Sequence, residues 1–275
     1  MAELQRLPSL KRVAVSGGTH GNEMSGVYLA KHWLRDPSEL QRGTFQATPF
    51  LGNPRAVEQC VRYIGRDLNR AFLNEFLTSK DSDIDHYEVQ RAQEINQSFG
   101  PRDSSQAYDF MFDLHNTTAN MGACLFVATE HCLLPMHMCH YIQKHYSMGP
   151  CTIFLYQQPG EETLYLTSVA KAGIGTLFPA FETEAYKVVE RVDFPRYPDG
   201  EISAVIHPNL QDKDFQPLKP GDPIFQTLSG DVILYEGDNI TYPAFINEAA
   251  YYEKKVAFVK MEKRTFAQPA LQKEL

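Results

Sequence analysis

The stretch Arg12-Val13-Ala14-Val15-Ser16-Gly17-Gly18-Thr19-His20-Gly21-Asn22-Glu23 decides the fold. Its first five residues form a short apolar strand that Gly17-Gly18 ends. Beyond Glu23, Met24, Val27, Ala30 and Leu34 recur at helical spacing until Asp36-Pro37 stops the helix. A strand that turns tightly into a helix opens an α/β unit, and loops at strand ends of open α/β sheets are where ligands bind. His20 and Glu23 lie three residues apart in that loop, so both side chains can converge on one point.

Outward from this stretch the alternation continues. Tyr87 to Phe99 is a second helix with Val89, Ala92, Ile95 and Phe99 on one face, closed by Gly100-Pro101. Strand-like runs follow at 108–114, 123–128 and 152–156, with a helix between the last two. Together they predict an α/β sheet covered on both faces. From Phe178 onward, turn signals crowd the chain: Pro195, Pro198-Asp199-Gly200, Pro208, Pro217, Pro220-Gly221-Asp222 and Ser229-Gly230-Asp231. The short strand-like pieces between them, at 204–207 and 232–235, predict a smaller β-rich C-terminal domain. The expected division is therefore an α/β domain over 1–177 and a β-rich domain over 178–275.

Composition removes several classes of function. The 275 residues carry 26 Lys plus Arg against 34 Asp plus Glu, a net charge of −8, which argues against nucleic-acid binding. Hydrophobic residues at 43% and charged residues at 22% exclude a disordered chain. No apolar run is long enough for a membrane span, and Met1 to Arg12 lacks the apolar core of a signal peptide. The five cysteines, Cys60, Cys124, Cys132, Cys139 and Cys151, form no CxxC pair, which predicts free thiols and a cytoplasmic protein.

The run Phe110-Met111-Phe112-Asp113-Leu114 delivers a second histidine, His115, at another strand end. Two histidines and a glutamate with an open fourth position are the ligand set of hydrolytic zinc sites. Asp67 and Asp113 are placed to orient the imidazoles. A His-x-x-Glu pair by itself is most often a surface pair on a helix. The flanking glycines, the preceding strand and the matching His115 reverse that weighting. Arg62-Tyr63-Ile64-Gly65-Arg66-Asp67-Leu68-Asn69-Arg70 brings three arginines and an asparagine together, the donors of a carboxylate clamp. A charge run is more often a solvated face, and only the adjacent metal motif favours the clamp. The His131, Cys132, His137, Cys139, His140 and His145 group matches no standard zinc spacing; it reads as an amphipathic helix with Met136, Cys139 and Tyr146 inward.

Four ordered motifs together resemble the aspartoacylase family: Gly17-Gly-Thr-His20-Gly-Asn-Glu23, Asp67-Leu-Asn69-Arg70, Asp113-Leu-His115-Asn-Thr-Thr, and Asn247-Glu-Ala-Ala-Tyr251-Tyr-Glu. The resemblance implies a carboxypeptidase-like zinc hydrolase domain followed by a β-rich capping domain. It implies an amidohydrolase with one Zn2+ per chain on His20, Glu23 and His115, acting on a small N-acyl amino acid. Arg62 would polarise the scissile carbonyl, and Asn69, Arg70, Tyr165 and Tyr251 would hold the substrate. In the aspartoacylase branch an arginine precedes the stretch like Ser168-Val169-Ala170-Lys171, and here that position is Thr167. A second substrate carboxylate would be left poorly paired, which favours the branch acting on N-acyl aromatic amino acids and mercapturates over N-acetylaspartate. Homo-oligomerisation stays open.

One departure from the family stands out. After Ala170-Lys171-Ala172-Gly173-Ile174-Gly175 the family continues into a strand bearing its general-base glutamate and then a long helix. Here Gly175 runs through Thr176-Leu177 directly into Phe178-Pro179-Ala180-Phe181-Glu182, which resembles the start of the second domain. The expected gap is the size of a strand-plus-crossover unit. Its loss predicts either a catalytically deficient zinc-binding relative or an enzyme in which another group has replaced the base. Glu161, Glu162, Glu182 and Glu184 are the nearest carboxylates in sequence.

Overall fold

The computed structural model describes residues 5–7, 10–79, 86–117, 119–157, 165–171, 180–252, 254–269 and 271–273. Its elements run β1 (Gln5–Leu7), β2 (Arg12–Gly17), α1 (Met24–Arg35), β3 (Gln46–Leu51), α2 (Pro54–Gln59), α3 (Asn74–Thr78), α4 (Tyr87–Phe99) and β4 (Phe110–Leu114). They continue with β5 (Ala123–Val127), α5 (Leu133–His145), β6 (Cys151–Leu155), β7 (Phe181–Val192), β8 (Ala204–Ile206), β9 (Pro223–Thr227), β10 (Val232–Leu234), β11 (Tyr242–Ala244), β12 (Phe258–Gln268) and β13 (Leu271–Lys273). Two compact units emerge, one of residues 1–116, 160–179 and 269–275, the other of 117–159 and 180–268. The expected boundary at 177/178 and the junction after Gly175 lie outside the described residues.

In the first unit a parallel sheet runs in the order β3-β2-β4. Val13, Ala14, Val15 and Ser16 are all buried, the continuous pattern of a strand covered on both faces. The chain passes from β2 to its neighbour β3 and then to β4 on the other side, so the strand order reverses at β2. The carboxyl ends of β2 and β4, paired at Gly17 and Leu114, form the crevice where such sheets bind ligands. Backbone proximity sets the geometry there. A Cβ on Gly17 would sit 2.0 Å from the Gly26 carbonyl oxygen, so α1 rests on the end of β2 with no room for a side chain. A Cβ on Gly21 would meet the Ala56 backbone at the same distance, which holds the turn against α2. On the other face, α4 buries Val89, Ala92, Ile95 and Phe99 against Ala14, Phe50, Leu68, Phe72 and Met111.

The second unit is β-rich. A five-stranded sheet runs β11-β12-β7-β6-β5, with β5, β6 and β7 parallel and β7, β12 and β11 antiparallel. The β7 and β12 strands pair from Phe181–Gln268 to Val192–Phe258, and α5 packs Met136 and Cys139 against Ile153 and Leu155. A three-stranded antiparallel sheet, β10-β9-β8, completes the unit. Two expectations change here. The strands near 123–128 and 152–156 do not join β4; β6 hydrogen-bonds to β7 instead, through Phe154–Tyr186 and Leu155–Lys187. Tyr146 is not in the core: it caps the C-terminus of α5, where the helix ends, and is 37% exposed. All five cysteines are free thiols.

Gly17→Ala should destabilise the protein by about 3 kcal/mol or more, because the new methyl group meets backbone that cannot rotate away. Gly43→Ala, with nothing within 4 Å of its Cβ, serves as the control. Urea unfolding midpoints of the two variants check this, and a Gly17→Ala shift as small as the control's would refute the backbone-contact argument.

Candidate functional site

His20 and Glu23 arise from the turn between β2 and α1, and His115 from the residue after β4. Glu23 joins the two histidines. Its Oε1 lies 2.7 Å from His20 Nδ1 and its Oε2 lies 2.8 Å from His115 Nδ1. The backbone N–H of Asn116 donates to Oε2 at 2.9 Å. The ring centroids of the two imidazoles are 5.0 Å apart. His20 and Glu23 are buried, while the His115 side chain keeps 24% of its surface.

Each imidazole is backed by a further carboxylate on its other nitrogen. His20 Nε2 is 3.0 Å from Asp67 Oδ1, and His115 Nε2 is 2.7 Å from Asp113 Oδ2. With Nε2 held by a carboxylate, each imidazole turns its Nδ1 toward Glu23, the orientation in which a neutral imidazole serves as a metal ligand. The carboxylates are themselves held: Asp67 Oδ1 accepts the Asn69 N–H, and Thr19 Oγ1 donates to Asp113 Oδ1 at 2.7 Å. One atom from each of His20, Glu23 and His115 lies within 4.8 Å of the others, so the donor set, its spacing and its orienting shell fit a divalent ion.

The protonation pattern follows from the same contacts. Burial works to lower the His115 pKa, but Asp113 and Glu23 outweigh it and raise it to about 10. Burial works to raise that of Glu23, yet its hydrogen bonds to His115 and His20 hold it well below the ordinary carboxylate range.

Arg62 lies beside this centre, with Nη1 3.2 Å from Glu23 Oε1 and Nη2 3.5 Å from Asp67 Oδ2. Its carbonyl accepts the Gly21 N–H at 3.3 Å, tying its loop to the histidine turn. Asn69 Nδ2 comes within 3.4 Å of His115 Nε2, and its Oδ1 accepts the Leu166 N–H at 3.0 Å. Arg70 donates to the Asn69 carbonyl and places its guanidinium 5.4 Å from the Tyr165 ring centroid. The first unit thus gathers His20, Glu23, Arg62, Asn69, Arg70, His115 and Tyr165. Tyr251 belongs to the second unit, where its ring stands 5.3 Å from Phe245 and beneath the Lys254 ammonium. Thr19 and the Asn116 N–H were not among the expected site residues. A buried hydroxyl residue directly before His20 was the available signal for the first.

The succinylglutamate desuccinylase/aspartoacylase catalytic domain matches residues 9–177, and the AstE/AspA barrel-sandwich hybrid domain matches 181–263. A human N-acyl-aromatic-L-amino acid amidohydrolase (carboxylate-forming) is 52% identical, over 95% of this chain and 93% of its own length. Mouse aspartoacylase is 42% identical over 97% of both chains. The crystal structure of murine aminoacylase 3 superposes with a TM-score of 0.91 at 47% identity, covering 98% of this chain and all of that one. The alignment with the human relative runs over 298 positions, whereas 95% of these 275 residues is about 261, so about 37 positions of the match have no counterpart here. With both domain types matched across almost the whole sequence, the chain belongs to the succinylglutamate desuccinylase/aspartoacylase family.

Proposed function

We propose that this chain is a zinc-dependent amidohydrolase that cleaves N-acyl aromatic L-amino acids and mercapturates to a carboxylate and the free amino acid. One observation carries the reading: Glu23 bridges two imidazoles whose outer nitrogens both rest on carboxylates, within a chain 52% identical to an enzyme of that name. His20, Glu23 and His115 would hold the ion, which when bound supplies Lewis-acid activation of water at neutral pH. Arg62 would donate to the oxygen that gains charge as the acyl carbonyl is attacked. Asn69, Arg70 and Tyr165 would hold the substrate carboxylate and side chain, and the family resemblance gives Tyr251 a substrate-binding role as well. Thr167 offers no cation for a second carboxylate, which disfavours N-acetylaspartate. The free cysteines support a reducing, cytoplasmic setting, and among the described residues no helix is long and apolar enough to cross a membrane. We take 1–177 as the catalytic portion and 178–275 as the β-rich cap.

A second reading follows from the shortage of about 37 positions against the human relative. We place that gap after Gly175, where the family's general-base glutamate would lie. The carboxylates that the site does contain are committed: Glu23 to both imidazoles and Arg62, Asp67 to His20, and Asp113 to His115. Glu182 and Glu184 are exposed on β7 in the second unit, Glu184 paired with Lys263, and Glu161 and Glu162 lie outside the described residues. Loss of general acid–base help costs about 10²- to 10⁴-fold in rate, so this reading is a zinc- and substrate-binding chain with little turnover.

Hydrolysis of N-acetyl-L-tyrosine by the zinc-loaded chain decides between them. The enzyme reading expects turnover that His115→Ala and a chelator both abolish, with kcat/KM for N-acetyl-L-aspartate lower by about tenfold or more. Preference for N-acetyl-L-aspartate would reverse the substrate assignment, and no turnover from folded, zinc-bound protein would establish the second reading. Zinc uptake should also be linked to a proton. The raised His115 pKa keeps the metal-free imidazole protonated at pH 7, and a ligating imidazole must be neutral, so each bound ion should displace about one proton. Affinity should therefore climb with pH up to about 10. Calorimetry in buffers of different ionisation enthalpy measures the displaced proton; its persistence in His115→Ala would place it on another group.

A further inference from the structure

Glu88 is a fully buried carboxylate in the first turn of α4, outside the metal ligands and the substrate clamp. Its Oε1 accepts from Asn53 Nδ2 at 3.1 Å and from the Ile64 N–H at 2.7 Å. Its Oε2 accepts from the Gly65 and Arg66 N–H groups, each at 3.1 Å. Three successive backbone N–H groups turned toward one acceptor form an anion-binding concavity, here filled by the protein's own side chain. Asn53 is also fully buried and caps α2 by accepting the Ala56 N–H. Close packing continues at Gly65, where a Cβ would approach His86 Nδ1 to 3.0 Å.

The segment held this way begins two residues after Arg62. Arg62 spans the gap to the centre, its carbonyl receiving the Gly21 N–H and its guanidinium reaching Glu23 and Asp67. Glu88 therefore fixes one end of the loop, and the histidine turn fixes the other. We propose that Glu88 is a positioning residue that sets the Arg62 guanidinium at the metal centre by anchoring the backbone of residues 64–66. The proposal rests on the reading of Arg62 as the group that stabilises charge on the acyl oxygen.

The test uses the zinc-loaded full chain with Glu88→Gln, Arg62→Ala and the double variant. Glutamine keeps the shape but turns an amide NH2 toward N–H donors whichever way it is placed, so the clamp opens without a cavity. Amide exchange at Ile64, Gly65 and Arg66 should quicken by about tenfold or more in Glu88→Gln, with Val13 to Val15 unchanged. For N-acetyl-L-tyrosine hydrolysis, kcat should fall about tenfold or more with little change in KM. In the Arg62→Ala background the same substitution should cost less than about twofold, because the two residues act in series. Fully multiplicative losses, or unchanged exchange at 64–66, would overturn the proposal. A parent chain without turnover would sink the proposed activity separately. The decision on Glu88 would then pass to the exchange rates and to Arg62 guanidinium rotation followed by 15N NMR, hindered in the parent and freed in Glu88→Gln. If Glu88→Gln fails to fold, Glu88→Asp, which keeps the charge on a shorter arm, should show the same losses in weaker form, and parent-like exchange and kcat would refute the clamp.

Discussion

The Glu23 carboxylate reaches His115, 92 residues away in sequence, and so ties together the ends of β2 and β4; the rest of the centre is arranged around it. With Asp67 and Asp113 it places three carboxylates in one largely buried volume, balanced by the Arg62 guanidinium and two imidazoles. Acidic groups buried together are costly unless positive charge is supplied. The rise of the His115 pKa to about 10, driven by Asp113 and Glu23, expresses that demand. A divalent ion would meet the same demand more fully, since both Nδ1 atoms face Glu23 and both Nε2 atoms are held by Asp67 and Asp113.

The demand can be met only because the scaffold brings the groups close. Gly17 and Gly26 let α1 descend onto β2 at backbone contact, which fixes the turn carrying His20 and Glu23. The Gly17–Leu114 pair at the end of the β2–β4 ladder brings His115 alongside. A side chain at Gly17 would lift the helix and separate Glu23 from one of its partners, so a packing constraint outside the ligand set governs the electrostatics within it.

Much of this centre was legible in the sequence because its elements carry local signals. The β2 strand has an apolar centre, Val13-Ala14-Val15, the turn is rich in glycine, and α4 runs over the residues its periodicity indicates, Tyr87 to Phe99. The histidines, Glu23, Asp67 and Asp113 follow from motifs within a few residues of those elements. Sheet membership was not legible, because pairing is a long-range choice. The β7 strand, Phe181-Glu-Thr-Glu-Ala-Tyr-Lys-Val-Val-Glu-Arg-Val192, has five charged residues in twelve and its partner β12 four in eleven, as strands with a solvated face do, and only their mutual register identifies them. Glu88 was hidden for a different reason: a glutamate in the first turn of a helix reads as a solvated charge favoured by the helix dipole. The available hint was its place four residues before Ala92, on the apolar stripe that continues through Ile95 and Phe99.

The shortage of positions against the human relative bears on how binding and chemistry divide within this fold. His20 and Glu23 come from β2–α1, His115 from β4, and Arg62, Asn69 and Arg70 from the loop that Glu88 clamps. All of these precede residue 117, and all are held by contacts within the first unit. A segment lost after Gly175 would leave each of them in place. What it would change is the edge of the sheet. Among the described residues β4 pairs only with β2, and Phe110 and Phe112, their rings 4.8 Å apart, are half-buried on a strand of a type that parallel sheets ordinarily cover on both faces. A ligand set held wholly within the first unit is the arrangement expected where the parts that would hold ion and substrate are retained and a strand carrying a proton-transfer group is not. On that reading binding would depend on the local geometry around Glu23, and the rate on a carboxylate that this geometry does not itself supply.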